Sequence, residues 1–325
     1  MSSHITRALV VLTLAASAYG QTLAPRPPAT PPPTQPSTPP PTKPARFILS
    51  AVGEDGAVLP DLAQQDLVVR IGEKPVAISG LSRFHQAPIR IVVVLDESSS
   101  MQGRWRVALG IVFELLKTLP PNSTVGLVGV NDQAPEMIES PDAILRYLKN
   151  RAKRGPGGWT RLWDDIHMAL LFFPQPRSSD VIFVVSDGVD NASKLTYQRL
   201  REEVRAAKVR VSGALLTDQY SPDPEARTVT GKVAALIDET GGWNLTSPPF
   251  VHERAGVGGR MEEAPTQAPN LAGFFHTLYD FYLVELGPEG KVTRPEPLNV
   301  RIADGRKDRA QIFVSAPHGL LPAAP

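Results

Sequence analysis

The chain has 325 residues and a formal net charge of +1, from 34 Lys and Arg against 33 Asp and Glu. Bulk charge therefore gives no reason to expect nucleic acid or an anionic membrane surface as partner. The chain holds 0 Cys, which excludes a disulfide framework and a thiolate site and leaves stability to packing.

Residues 1–20 carry a single early Arg7, an apolar stretch over 8–16, and small residues at Ala18 and Gly20. The apolar run is shorter than the roughly 20 residues a membrane helix needs, so the segment reads as a cleaved signal peptide. The protein is then expected to be exported, to the periplasm or beyond the cell, with no membrane span after cleavage. Residues 21–45 are rich in proline, which lacks the amide donor that helix and sheet require, and read as an extended linker. Residues 46–87 alternate short apolar runs (FILSAV, DLVVRI, PVAISGLSRF) with Gly and Asp turns, the pattern of a small β unit. A unit of that size is marginal alone, so it is expected to pack on its neighbours.

Over residues 88–286 apolar strands alternate with amphipathic helices, which predicts a parallel sheet covered on both faces. Residues 287–325 return to strand-like runs, PLNVRI and QIFVSA, and a tail. Residues 247–267, polar and containing Gly and Pro, form an insertion of the length that is usually functional or disordered.

Three stretches carry oxygen-bearing side chains at the ends of these elements. In IRIVVVLDESSSM the buried run breaks into Asp96, Ser98 and Ser100, where an open α/β sheet places its ligands. In GGWTRLWDD a glycine turn presents Thr160 before a helix, and in VVSDGVDN a second buried strand ends in Ser186 and Asp187. Taken singly, these read as helix caps and turns. Asp96, Ser98, Ser100, Thr160 and Asp187 together supply two carboxylates and three hydroxyls, a donor set that suits Mg²⁺ or Mn²⁺ and makes a poor zinc site.

These motifs together resemble the von Willebrand factor A (VWA) family: DESSSM resembles its DxSxS signature, WTRLWDDI its threonine loop and VSDGVDN its second aspartate turn. The resemblance implies a doubly wound, mostly parallel six-stranded α/β sheet with helices on both faces, joined here by the N-terminal β unit and the C-terminal strands. It also implies a metal-ion-dependent adhesion site (MIDAS) with Asp96, Ser98, Ser100, Thr160 and Asp187 as ligands. In the family an acidic side chain of a protein partner completes the metal shell, with no bond broken. The whole chain looks like exported VWFA-related proteins of acidobacteria, although Ser99 stands where many members carry glycine.

Around the metal motifs lie Arg104, Trp105, Arg151, Lys153, Arg154, Trp159 and Arg161, which are expected to form a basic, aromatic rim for an anionic partner. Trp163 is expected in the core of its helix. A phosphatase-like hydrolase is the rival reading, but that chemistry uses a second Asp two residues after the first, where Ser98 stands. A scaffold protein with a vestigial metal site is a third. His252 and Glu253 have no partner in sequence and read as solvated loop.

Overall fold

The computed structural model describes residues 44–130, 137–216, 224–247, 249–250 and 270–322. The expected signal peptide, most of the proline-rich linker and most of the 247–267 insertion, with His252 and Glu253, lie outside the described residues.

The chain opens with β1 (Arg46–Gly53), β2 (Leu67–Ile71), β3 (Lys74–Val76) and β4 (Ile78–Phe84). Strand β5 (Arg90–Asp96) begins an alternation through α1 (Trp105–Thr118), β6 (Thr124–Val130), β7 (Met137–Ile138), α2 (Pro141–Arg154) and α3 (Leu162–Leu170). It continues with β8 (Val181–Ser186), α4 (Tyr197–Ala207), β9 (Arg210–Leu215), α5 (Pro224–Glu239) and α6 (Leu271–Tyr279). Four strands close it: β10 (Phe281–Leu286), β11 (Glu296–Ile302), β12 (Ile312–Ser315) and β13 (Gly319–Leu320).

The α/β sheet has the order β7-β6-β5-β8-β9. Strand β5 pairs in parallel with both β6 and β8, β8 pairs in parallel with β9, and β7 runs antiparallel at the edge. Its strands are Val-rich and buried on both faces, as a covered parallel sheet requires. Ile91, Val93 and Leu95 of β5 join one core with α1, α2 and α6, while Val92 and Val94 join another with α3, α4 and α5.

This corrects the expected six-stranded sheet: among the described residues it has five strands, one of them antiparallel. Beyond β9 an isolated parallel bridge joins Gly213 to Asn244, where Gly213 N–H donates to the Trp243 carbonyl at 3.0 Å and Leu245 N–H to the Gly213 carbonyl at 2.8 Å. Gly242 lies so close to β9 that a Cβ there would stand 1.7 Å from the Val211 carbonyl oxygen. Asn244 Oδ1 then accepts the Thr246 N–H at 3.2 Å, and this side-chain turn competes with further ladder bonds.

The remaining strands make two antiparallel sheets, β12-β1-β10-β4 and β13-β11-β2-β3. The first joins strands from both ends of the chain: Leu49 of β1 opposes Tyr282 of β10 and Ser50 opposes Ser315 of β12. Strand β10 lies within the 88–286 segment of the sequence, yet it pairs with β1 and β4 rather than with the α/β sheet. Because side chains alternate along a strand, β1 serves two cores. Phe47, Leu49 and Ala51 pack with Leu67, Val69 and Leu298 between the antiparallel sheets. Ile48 and Val52 pack on the opposite side with the α/β core.

Candidate metal centre

Asp96 ends β5, Ser186 ends the neighbouring β8, and each is fully buried. Ser186 Oγ donates to Asp96 Oδ2 at 2.5 Å and accepts the Gly188 N–H at 2.9 Å, while Asp96 Oδ1 accepts the Ser98 N–H at 2.9 Å. Gly188 has φ +82°, a left-handed conformation that favours glycine, which reverses the chain just after Asp187. Asp187 Oδ1 accepts the Val189 N–H at 3.0 Å.

Two further ties complete a triangle of loops. Ser99 N–H donates to the Gly158 carbonyl at 3.1 Å and the Gly158 N–H donates to Ser99 Oγ at 3.1 Å, joining the first motif to the threonine loop. Thr160 N–H donates to Asn191 Oδ1 at 2.9 Å, and the Thr160 carbonyl accepts from Asn191 and Ala192, joining the threonine loop to the second aspartate turn. Each of the three motifs is thus hydrogen-bonded to the other two. Ser98 Oγ and Ser100 Oγ stand 3.0 Å apart, Thr160 and Asp187 are buried, and Ser100 is exposed.

Burial pushes the Asp96 carboxyl up to about 6 against the hydrogen bonds from Ser186 and Ser98, with Asp187 adding like-charge repulsion. A cation would reverse both effects, so the donor set fits a hard divalent ion. Among the described residues no group of three or more His, Cys, Asp or Glu could hold a metal. A cation here would depend on hydroxyls and water as much as on the two carboxylates, which favours Mg²⁺ or Mn²⁺ over zinc.

The rim residues separate into two kinds. Trp159 is 63% exposed, and Lys153 and Arg154 are exposed at the end of α2. Arg104 and Arg161 are half-buried; Arg104 Nη1 donates to the Ser100 carbonyl at 3.2 Å, and Arg161 Nε lies 3.5 Å from Asp164. Trp105 is only 5% exposed and donates its indole N–H to the Arg151 carbonyl at 3.3 Å, so it belongs to the core of α1. Arg151 Nη2 lies 2.8 Å from Glu97 Oε2 in a pair whose Glu97 partner is fully buried, and it acts as a bolt beneath the first motif rather than as open rim. Trp163 is buried, as its helix position predicts.

Glu97 and Asp165 escaped the sequence reading, and Ser99 entered it only as a departure from the family pattern. Both Ser99 and Glu97 stand inside the first motif, but neither occupies one of the oxygen positions of DxSxS, so the tie of Ser99 to Gly158 and the pairing of Glu97 with Arg151 went unread. Asp165 lies on the stripe Leu162–Ile166–Ala169 that α3 turns to the sheet, and it is 1% exposed. Burial, with Asp164, Asp96 and Asp190 nearby, pushes its carboxyl up to about 7 against the pull of Arg161. A carboxylate on an apolar stripe was the available signal.

Residues 91–189 match the family model described as von Willebrand factor type A domain. No curated protein matches the chain by sequence. Among solved structures, it is similar to an aerotolerance-related membrane protein from Bacteroides fragilis carrying multiple mutations to serines, at 16% identity and TM-score 0.37, covering 48% of this chain and 90% of that one. It is also similar to the conserved hypothetical protein BatB from Bacteroides thetaiotaomicron, at 20% identity and TM-score 0.34, covering 48% and 88%. For the SpRpn10 VWA domain the identity is 12% and the TM-score 0.34, covering 49% and 86%. The family match spans 91–189 and so takes in Asp96, Ser98, Ser100, Thr160 and Asp187.

Proposed function

We propose that this chain is an exported, non-enzymatic recognition module that binds an acidic side chain of a protein partner through Mg²⁺ or Mn²⁺. The observation that carries the reading is the mutual hydrogen bonding of three oxygen-bearing loops at the ends of β5 and β8. Asp96, Ser98, Ser100, Thr160 and Asp187 would hold the metal, which when bound supplies an open position for a partner's carboxylate. The loops are rigid because each is tied to the other two, so the site is organised before a partner arrives. Exposed Trp159, Lys153 and Arg154, with Arg104 and Arg161, give the surroundings an aromatic anchor and positive charge for an acidic segment.

A phosphatase-like activity lacks its second aspartate, since Ser98 occupies that position. Among the described residues no helix is long and apolar enough to cross a membrane, and the segment at 1–20 accounts for export in the manner of the exported VWFA-related proteins. The test is a pull-down from the source organism's envelope on the immobilised mature chain, with Mg²⁺ and with a chelator. Capture of a protein only with Mg²⁺, lost in Asp187→Ala, is the expected result. Metal-independent capture, or release of phosphate from a generic ester, would contradict the reading.

A further inference from the structure

Asp165 is 1% exposed and its Oδ2 has no hydrogen-bond partner. A buried carboxylate oxygen left unpaired costs folding free energy, and folded proteins keep few of them. Among the described residues no cation lies within ion-pair reach of Asp165; Arg161 acts on it electrostatically and places its Nε 3.5 Å from Asp164. Packing alone would favour an apolar side chain here, since Asp165 shares the buried stripe of α3 with Leu162, Ile166 and Ala169.

That stripe faces the strands that carry the metal motifs. Val92 and Val94 of β5 and Val184 of β8 pack in the same core as Leu162, Ile166 and Ala169. Side chains alternate along a strand, so Asp96, two residues after Val94, and Ser186, two after Val184, face the layer that α3 covers. The bond from Ser186 Oγ to Asp96 Oδ2 lies in that layer. Thr160 stands just ahead of the same helix. Asp96 and Asp190 bear on Asp165 as like charges, an excess of negative charge that a divalent cation at the loops would offset.

We infer, resting on the metal-binding function proposed above, that Asp165 is a further residue of the metal centre: an uncoordinated carboxylate in the layer of Asp96 whose buried charge strengthens the hold on Mg²⁺ or Mn²⁺. Asp165 belongs to none of the three motifs. It acts through its field and not as a ligand, in keeping with the absence, among the described residues, of any group of three or more His, Cys, Asp or Glu that could hold a metal. In a layer closed to water that field is weakly screened. Without metal the charge weakens the fold; with metal it contributes to binding. A residue kept for packing alone shows no such opposition.

The experiment is calorimetric titration of Mg²⁺ and Mn²⁺ into the mature chain and into Asp165→Asn at pH 8, with thermal unfolding of both in a chelator and in saturating metal. Asn keeps the size of the side chain and removes its charge. The variant is expected to bind either ion about tenfold more weakly or worse, yet to melt higher than the parent in chelator, so that the Tm gain on adding metal shrinks. Asp165→Ala, which removes the carboxyl altogether, is expected to lose a similar share of affinity. A purely structural role would lower affinity and chelator stability together. Parent-like affinity in Asp165→Asn, or loss of both affinity and chelator stability, would overturn this assignment and leave the metal site standing; no binding in the parent would overturn both.

Discussion

Ser186 Oγ donates to Asp96 Oδ2 at 2.5 Å, so one hydroxyl ties together the ends of the two adjacent strands that carry the metal motifs. The same oxygen accepts the Gly188 N–H, which shapes the turn after Asp187. Ser186→Ala removes both bonds from a fully buried position. Leaving these polar partners unsatisfied is expected to lower stability by about 1–3 kcal/mol, read by urea denaturation. It is also expected to weaken metal binding, read by calorimetry. Parent-like behaviour in both would mean that the tie between the motifs is incidental.

Asp165 gives a prediction with a defined pH window. Its folded carboxyl, raised from 3.8 to about 7, holds a proton that the unfolded chain has lost between those values. The folded state therefore binds more protons than the unfolded state in that interval, and this group's contribution makes stability fall as pH rises from about 4 to about 7. Asp165→Asn removes the ionisation, so in a chelator it is expected to stabilise the protein at pH 8, by up to about 4 kcal/mol for roughly three pKa units. At pH 4 the gain should vanish. A gain that is the same at both pH values, or a loss at pH 8, would contradict this account of Asp165.

The basic residues near the threonine loop should divide by function. Arg151→Gln breaks a pair with a fully buried Glu97 and is expected to cost about 3–5 kcal/mol. Exposed Lys153 and Arg154, changed to Gln, should alter stability by no more than about 0.5 kcal/mol. With a partner in hand, neutralising those two should slow association, and salt should slow it further as the Debye length shortens from about 10 Å at 0.1 M to about 3 Å at 1 M. Equal destabilisation by all three substitutions would dissolve the distinction between bolt and rim.

The motifs were legible in the sequence because each lies within a few residues of chain: a buried run that ends in DESSSM, a glycine turn before Thr160, and VVSDG. The interleaving of the chain ends was less so. FYLVEL alternates in the same way whichever sheet receives it, and only long-range pairing places Leu283 of β10 opposite Ile48 of β1. The sixth strand is missing from the α/β sheet because FYLVEL, the last strand-like run of 88–286, pairs with β1 and β4 instead. Trp105 was misplaced on the rim because neighbourhood in sequence was taken for neighbourhood on the surface. On α1 it shares the buried face with Ala108, Leu109 and Val112.

The same interleaving makes a truncated chain informative. Residues 88–286 alone keep β10 but lose β1 and β4, its two sheet partners, and expose Tyr282, Val284 and Leu286, which are otherwise buried. Burying side chains of this kind stabilises by about 1.5–3 kcal/mol each, so the truncated chain is expected to melt well below the mature chain and to be less soluble. Equal melting temperatures would show that the antiparallel sheets contribute nothing to the α/β layer.

The central claim is that the three laced loops bind a divalent cation, and calorimetric titration of Mg²⁺ and Mn²⁺ into the mature chain tests it most directly. The account predicts saturable binding of one ion, abolished in Asp96→Ala and in Asp187→Ala while both variants keep a cooperative unfolding transition, since each substitution also relieves carboxylate repulsion in the metal-free state. Binding in the variants equal to the parent, or no binding in the parent, would contradict it.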